Sequence, residues 1–305
     1  MQRPNRRAVL SALAAAAAAT TLRPLRAGAQ PAAVLTRPIP SSGEAIPLVG
    51  LGSWITFNVG EDPVLRAECT DVMRAFFAAG GRMIDSSPMY GSAQAVIGNG
   101  LDALGHPKAL FSADKVWTNG DGAAQAAESE RLWGVPRFDL LQVHNLVAWE
   151  KQLDLLLAMK ADGGLRYVGI TTSEGRRHGQ FEDVMASRPL DFVQVTYNPL
   201  DRAVEERILP LAAERGIAVI INRPFRQGAL TRALAGTPLP AVAADLRCAT
   251  WAQLILKFIV AHPAVTTAIP ATTRVDHVIE NMGAATDPLP DAAQRAAIVA
   301  AIEDA

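Results

Sequence analysis

The chain predicts a closed, eight-stranded parallel barrel, the (β/α)8 or TIM-barrel class of α/β fold. Three observations carry this reading. Eight short runs rich in Val, Ile, Leu and Phe recur along the sequence, segments with helical spacing separate them, and chemically useful polar residues fall at the carboxyl ends of the runs. Strands buried on both faces, each followed by a helix, mark a parallel sheet. Eight such units in roughly 250 residues favour closure over an open doubly wound sheet.

Taken in order, Thr36 to Pro47 contains Pro38, Pro40 and the turn Ser41-Ser-Gly43, which predicts a hairpin closing the barrel floor. The eight runs are Leu48–Trp54, Arg82–Ser86, Leu110–Val116, Phe138–His144, Tyr167–Thr171, Phe192–Tyr197, Ile217–Asn222 and Thr266–Pro270. Among the helical segments between them are Val64–Ala79, Ala148–Ala161, Ala203–Arg215 and Ala249–Ala261. Asp287 to Ala305 reads as a final amphipathic helix on the outside. A barrel of this class carries its site where the strands end, and Asp85, Lys115, His144 and Asn222 close or nearly close their runs, with Gln194 further back.

The 305 residues are 50% hydrophobic, 19% charged and 6% aromatic, a balance that excludes a disordered or collagen-like chain. Cys69 and Cys248 lie far apart and fit no zinc or Cys-x-x-Cys spacing. Residues 1–29 hold five arginines and no acid, with an alanine-rich apolar stretch from Ala8 to Leu22. The pair Arg6-Arg7 before that stretch, and Ala27-Gly-Ala29 before Gln30, resemble a bacterial twin-arginine export signal. The expected division is therefore a signal peptide at 1–29, read by the export machinery, and a single barrel domain at 30–305 in the periplasm. The apolar stretch is shorter than the roughly 20 residues of a spanning helix, so no membrane span is expected. Losing five arginines takes the formal net charge from −1 to −6, which makes nucleic acid a poor partner. A barrel closes its own sheet edges, and a monomer is expected.

The chemistry is narrowed first by what is missing. The string Gly120-Asp-Gly122-Ala-Ala-Gln125 lacks the third glycine of a dinucleotide fingerprint and follows a middle strand. No His-Glu-x-x-His, Gly-x-Ser-x-Gly or Walker lysine motif is present, and Asp85 with His144 makes too small a set for a metal site, so no metal is expected. Taken singly, Asp85 reads as a helix cap, Tyr90 as loop packing and His144 as an ordinary buried histidine. A lysine closing an apolar run is harder to explain that way, because a buried ammonium needs a partner, and Asp85 is the natural one. Together the four make one device. Lys115, held by Asp85, would lower the pKa of the Tyr90 phenol and make it a general acid, while His144 hydrogen-bonds a substrate carbonyl.

Met83-Ile-Asp-Ser-Ser-Pro-Met-Tyr-Gly91, Asp114-Lys-Val116, Asp139-Leu-Leu-Gln-Val-His144 and Ile269-Pro-Ala-Thr-Thr-Arg274, with Glu280-Asn281, resemble the motifs of the aldo-keto reductase superfamily. The resemblance runs from about residue 34 to 285 in the family's order. It implies reversible reduction of an aldehyde or ketone to an alcohol with a nicotinamide cofactor, usually NADP(H) and less often NAD(H), bound without a Rossmann fold. It also implies a catalytic tetrad of Asp85, Tyr90, Lys115 and His144.

By the same resemblance, Gln194 faces the nicotinamide carboxamide and Glu280 with Asn281 the adenine, while Gly52 and Ser53 also join the cofactor site. Thr171-Thr172 stands where the family usually has Ser-Asn, and Asn222, followed by Arg223 and Phe225, where an aromatic ring usually stacks on the nicotinamide. Arg223 is placed toward the pyrophosphate. The family's frequent lysine after the last strand is Ala271, so a 2′-phosphate falls to Thr272, Arg274 or His277. Trp54, Trp117 and Trp149 are expected to form an aromatic pocket for a small, hydrophobic carbonyl substrate. The segment from Arg226 to Asp245 is expected to clamp cofactor and substrate. The competing reading is a reductase-like barrel that keeps its cofactor for redox sensing or partner binding, although such a module has no need of a tuned tyrosine.

Overall fold

The computed structural model describes residues 33–305. The expected signal at 1–29 lies outside them.

Strands β1 (Thr36–Pro38) and β2 (Ala45–Pro47) form the antiparallel hairpin. The barrel strands are β3 (Leu51–Gly52), β4 (Met83–Asp85), β5 (Phe111–Val116), β6 (Leu140–Val143), β7 (Tyr167–Thr171), β8 (Phe192–Thr196), β9 (Ala218–Asn222) and β10 (Thr267–Ala268). Each pairs in parallel with its neighbours in chain order. The ends meet through bridges Val49–Ala268 and Gly52–Ala271, with backbone bonds from Gly50 N to Ala268 O (2.8 Å) and Gly52 N to Pro270 O (3.0 Å). Glycine makes that seam possible, since a Cβ at Gly52 would stand 2.7 Å from the carbonyl oxygen of Ile269.

Helices α1 (Pro63–Ala78), α2 (Ala93–Ala103), α3 (Gly122–Trp133), α4 (Trp149–Ala161), α5 (His178–Ser187), α6 (Ile208–Arg215), α7 (Ala229–Ala233), α8 (Val242–Asp245), α9 (Trp251–Val260), α10 (Val275–Gly283) and α11 (Ala292–Glu303) complete the described chain. The sequence sets their ends by ordinary capping. Asp62 caps α1 by accepting from the amides of Val64 and Leu65, with Pro63 at the first turn, and Gly134 closes α3 in the left-handed conformation. The expected helix over 203–215 is split. A 3₁₀ turn at Ala203–Glu205 gives way to α6 after Arg207, whose backbone is not helical.

Two cores follow from the alternation of the strands. Outward residues such as Ile84, Leu141, Val143, Val168, Ile170, Val193 and Val219 pack under the helices. Inward residues Met83, Phe111, Leu140, Tyr167, Phe192, Ala218, Ile220 and Ile269 fill the lower barrel together with Ile39 and Ile46 from the hairpin. The rings of Phe111, Tyr167 and Phe192 lie 5.5–6.1 Å apart in a plug across the barrel. Polar bonds hold the hairpin against it. Glu44 accepts from Arg82 (2.8 Å), from Arg166 and from the Tyr167 hydroxyl (3.0 Å). The hairpin is thus the barrel floor, as expected, and the inward residues above the plug are free to be polar.

Candidate active site

The alternation that buries Phe111 and Ala113 brings Lys115 to the inner face two residues further up β5. Asp85 ends β4 in register with Ala113, so carboxylate and ammonium meet. Lys115 Nζ donates to Asp85 Oδ2 at 2.5 Å and to the Ser86 carbonyl at 2.6 Å, and both side chains are sealed from solvent. Asp85 Oδ1 accepts from Gln194 Nε2 (2.9 Å) and Gln142 Nε2 (3.3 Å). Four strands therefore converge on one carboxylate. Burial alone would push the Lys115 ammonium toward neutrality, but the acidic groups around it, Asp85 foremost with Tyr90 and Asp114, together outweigh it and hold the pKa above the usual lysine value.

Tyr90 follows in the loop after β4, with its ring centroid 5.1 Å from Lys115 Nζ and 5.7 Å from the His144 ring, which it meets edge-on. Burial raises the phenol pKa above its ordinary value, and the opposing pull of Lys115 does not overcome it. This corrects the expected net lowering. The lysine's influence is present, but desolvation of the phenolate is larger. His144 directly follows β6. Burial, reinforced by Lys115, holds its pKa well below the usual histidine value, so the ring is neutral. Its Nδ1 lies 2.7 Å from Ser87 Oγ.

Above this foot opens a cavity of about 950 Å³. Asp85, Tyr90 and His144 line its base, and Lys115 stands behind them. Of the expected cofactor residues, Gly52, Ser53, Thr171, Gln194, Asn222, Arg223, Phe225, Thr272, Glu280 and Asn281 line it. Thr172 does not. Its hydroxyl donates to the Arg176 carbonyl (2.6 Å), and its own carbonyl accepts from Asn222 Nδ2 (2.9 Å). Asn222 also accepts from Thr196 (2.6 Å), so it ties three strand ends where the family usually has a stacking ring. Arg274 stands outside the lining, 62% exposed and paired with Asp276, whereas His277 faces inward.

The three-tryptophan pocket is not assembled. Trp54 lines the cavity, 6.4 Å from Tyr90. Trp117 lies just past the last residue of β5 and is 42% exposed, and Trp149 begins α4 and packs partly buried against the outer core. Strand alternation stops with the strand, so position near a strand end did not decide where these rings point. Ile55 and Met89 provide apolar wall instead. The segment after Arg226 does cover the cavity, through Gln227, Thr231, Arg232 and Leu234 to Thr237 on and beyond α7. Arg223, also in the lining, pairs with Glu174 (2.8 Å) and lies 5.8 Å from the Trp54 ring.

Ser87, Gln142, Glu174 and Arg176 were missed by sequence reasoning. Gln142 was recoverable, since it lies two residues before His144 and alternation puts both on one face. The other three belong to loops and had no periodic signal.

One acid of the tetrad's motif points the other way. Asp114 faces outward, buried between β5 and the helices, where it accepts from the Lys115 amide (2.7 Å) and from Gln94 (2.9 Å). Burial pushes its pKa up to about 7. The folded state therefore keeps a proton that the unfolded chain has lost, and stability falls as pH rises from about 4 to about 7. Asp114→Asn should remove that slope and stabilise the protein at pH 8 by up to about 4 kcal/mol. Urea midpoints at pH 5 and pH 8 check this, and a variant with the wild-type slope would count against it.

Residues 48–303 match the Aldo/keto reductase family, and the chain belongs to that family. Membership makes it an oxidoreductase. An uncharacterized oxidoreductase of Schizosaccharomyces pombe is 34% identical over 52% of this chain and 50% of its own length. A methylglyoxal reductase of Escherichia coli is 27% identical over 79% of this chain and 86% of its own. Among solved structures, an aldo-keto reductase from Klebsiella pneumoniae in complex with NADPH superposes with a TM-score of 0.71 at 22% identity. That match covers 87% of this chain and 94% of the other.

Proposed function

We propose that the chain reduces an apolar aldehyde or ketone at the foot of the cavity, with Tyr90 as proton donor. The observation that carries this reading is the sealed Lys115–Asp85 pair set against Tyr90, with neutral His144 beside it. The cavity fits a dinucleotide. Its volume lies at the upper end of the range for ligand pockets, amide and hydroxyl side chains stand at the strand ends, and Arg176, Arg223 and Arg232 offer positive charge for a pyrophosphate. Gln194, Thr171 and Asn222 would hold the nicotinamide end, and Glu280 and Asn281 the adenosine. When bound, the nicotinamide supplies a hydride.

The chain's residues do the rest. His144 is neutral and lines the base of the cavity, so a ring N–H can bond the carbonyl oxygen and fix its direction. Tyr90 is protonated at neutral pH and yields its hydroxyl proton to that oxygen as negative charge develops there. Lys115 then stabilises the phenolate, and Asp85 keeps Lys115 charged and in place. Trp54, Ile55 and Met89 favour an apolar substituent on the carbonyl. NADPH oxidation with a reactive aromatic aldehyde tests the reading, and cofactor binding without any turnover across aldehydes and ketones would overturn it.

Preference for NADP(H) is part of the same proposal, supported by Thr272 and His277 in the lining and by Arg274 beside them. Arg274 must leave Asp276 to reach a 2′-phosphate. Arg274→Ala should weaken NADPH more than NADH in a binding titration, and equal losses would remove it from this role. Export to the periplasm rests on the residues of 1–29 alone. Replacing Arg6-Arg7 by lysines should retain the protein inside the cell, which fractionation would read.

A further inference from the structure

We infer that Ser87 is a positioning residue for the reduction: its hydroxyl donates to Nδ1 of His144 and so leaves the ring proton on Nε2, the nitrogen available to the cavity. This rests on the proposed role of His144 toward the substrate carbonyl, and it adds the group that makes a neutral imidazole a donor on the correct side. A neutral histidine carries one N–H, and the partner of one nitrogen decides the state of the other.

The hydrogen-bond arithmetic around Ser87 fixes the direction. Ser87 is fully buried in the loop after β4, and its Oγ lies 2.7 Å from His144 Nδ1. Oγ also accepts the backbone N–H of Met89 at 3.2 Å. Among the described residues, Nδ1 is the sole acceptor bonded to the Ser87 hydroxyl. Were Nδ1–H to donate instead, the serine would accept twice and its own O–H would be buried with no partner, a costly arrangement. With Ser87 donating, every group is satisfied, and Nε2–H remains for the cavity that His144 lines. The arrangement also orients the ring, because Ser87 is itself held by the turn through Met89. Sequence makes this coupling local, since Ser87 lies between Asp85 and Tyr90 in the same nine-residue motif.

The test uses the full chain carrying ¹⁵N-histidine, with His144→Gln assigning the His144 signals. Long-range ¹H–¹⁵N spectra report which ring nitrogen bears the proton, with or without turnover. The expected result is Nε2–H in the wild type and a mixture of tautomers in Ser87→Ala, with kcat lowered about 10-fold and the Kd for NADPH unchanged. Ser87→Thr, which keeps the hydroxyl, should restore both tautomer and kcat. A wild-type spectrum showing Nδ1–H would overturn the inference, even if Ser87→Ala fails to fold. So would a Ser87→Ala protein with unchanged tautomer and unchanged kcat. Full kcat in His144→Gln would instead sink the carbonyl-orienting role of His144, and the wild-type spectrum would still decide separately which nitrogen Ser87 faces with its proton.

Discussion

Tyr90→Phe should bind NADPH as the wild type does and lose roughly 10²- to 10⁴-fold in kcat. The ring stays, so its edge-on contact with His144 and its place above Lys115 are kept. Only the transferable proton is gone. Stopped-flow absorbance at 340 nm with saturating aldehyde reads the rate, and quenching of tryptophan fluorescence by the cofactor reads binding. The phenol's raised pKa carries a second consequence. Tyr90 stays protonated to higher pH than an exposed tyrosine, so the wild-type rate should show no loss from this group across the neutral range. A variant within tenfold of wild type would remove the phenol from the reaction.

Lys115→Met should be the most destabilising single change at the site. It leaves the Asp85 carboxylate buried with only the amides of Gln142 and Gln194, and breaking a sealed pair in this way costs about 3–5 kcal/mol. That is a large share of the roughly 5–15 kcal/mol that holds a domain folded. Asp85→Leu combined with Lys115→Met should recover most of the stability, because the stranded charge is gone, and should still fail to turn over. Urea unfolding of both variants decides the matter. If the single variant melts like the wild type, water or a proton has relieved Asp85, and the pair is not sealed in solution.

Much of this site was legible in the amino-acid sequence, for a specific reason. A barrel strand buried on both faces has no ordinary use for a lysine or an aspartate, so Lys115 and Asp85 stood out as costs needing an explanation. His144 and Gln194 followed from the same alternation. The tryptophans were not legible, because Trp117 and Trp149 lie past the point where alternation governs direction. Arg274 carried a charge suited to phosphate, yet its neighbour Asp276, two residues on, takes the guanidinium out of the cavity lining. The sign of the Tyr90 shift was misjudged because a neighbouring charge can be read from sequence whereas burial cannot. Ser87 went unnoticed because a loop serine has no periodicity, and its meaning appears only when its partner after β6 is in place.

The aromatic plug and the hairpin beneath it give the described barrel a single mouth. Two molecules that must meet at its foot then share one route, and a guest lying over another blocks the lower one's departure. Traffic becomes last in, first out, so the slowest exit, rather than the proton transfer, can set the pace of a full cycle.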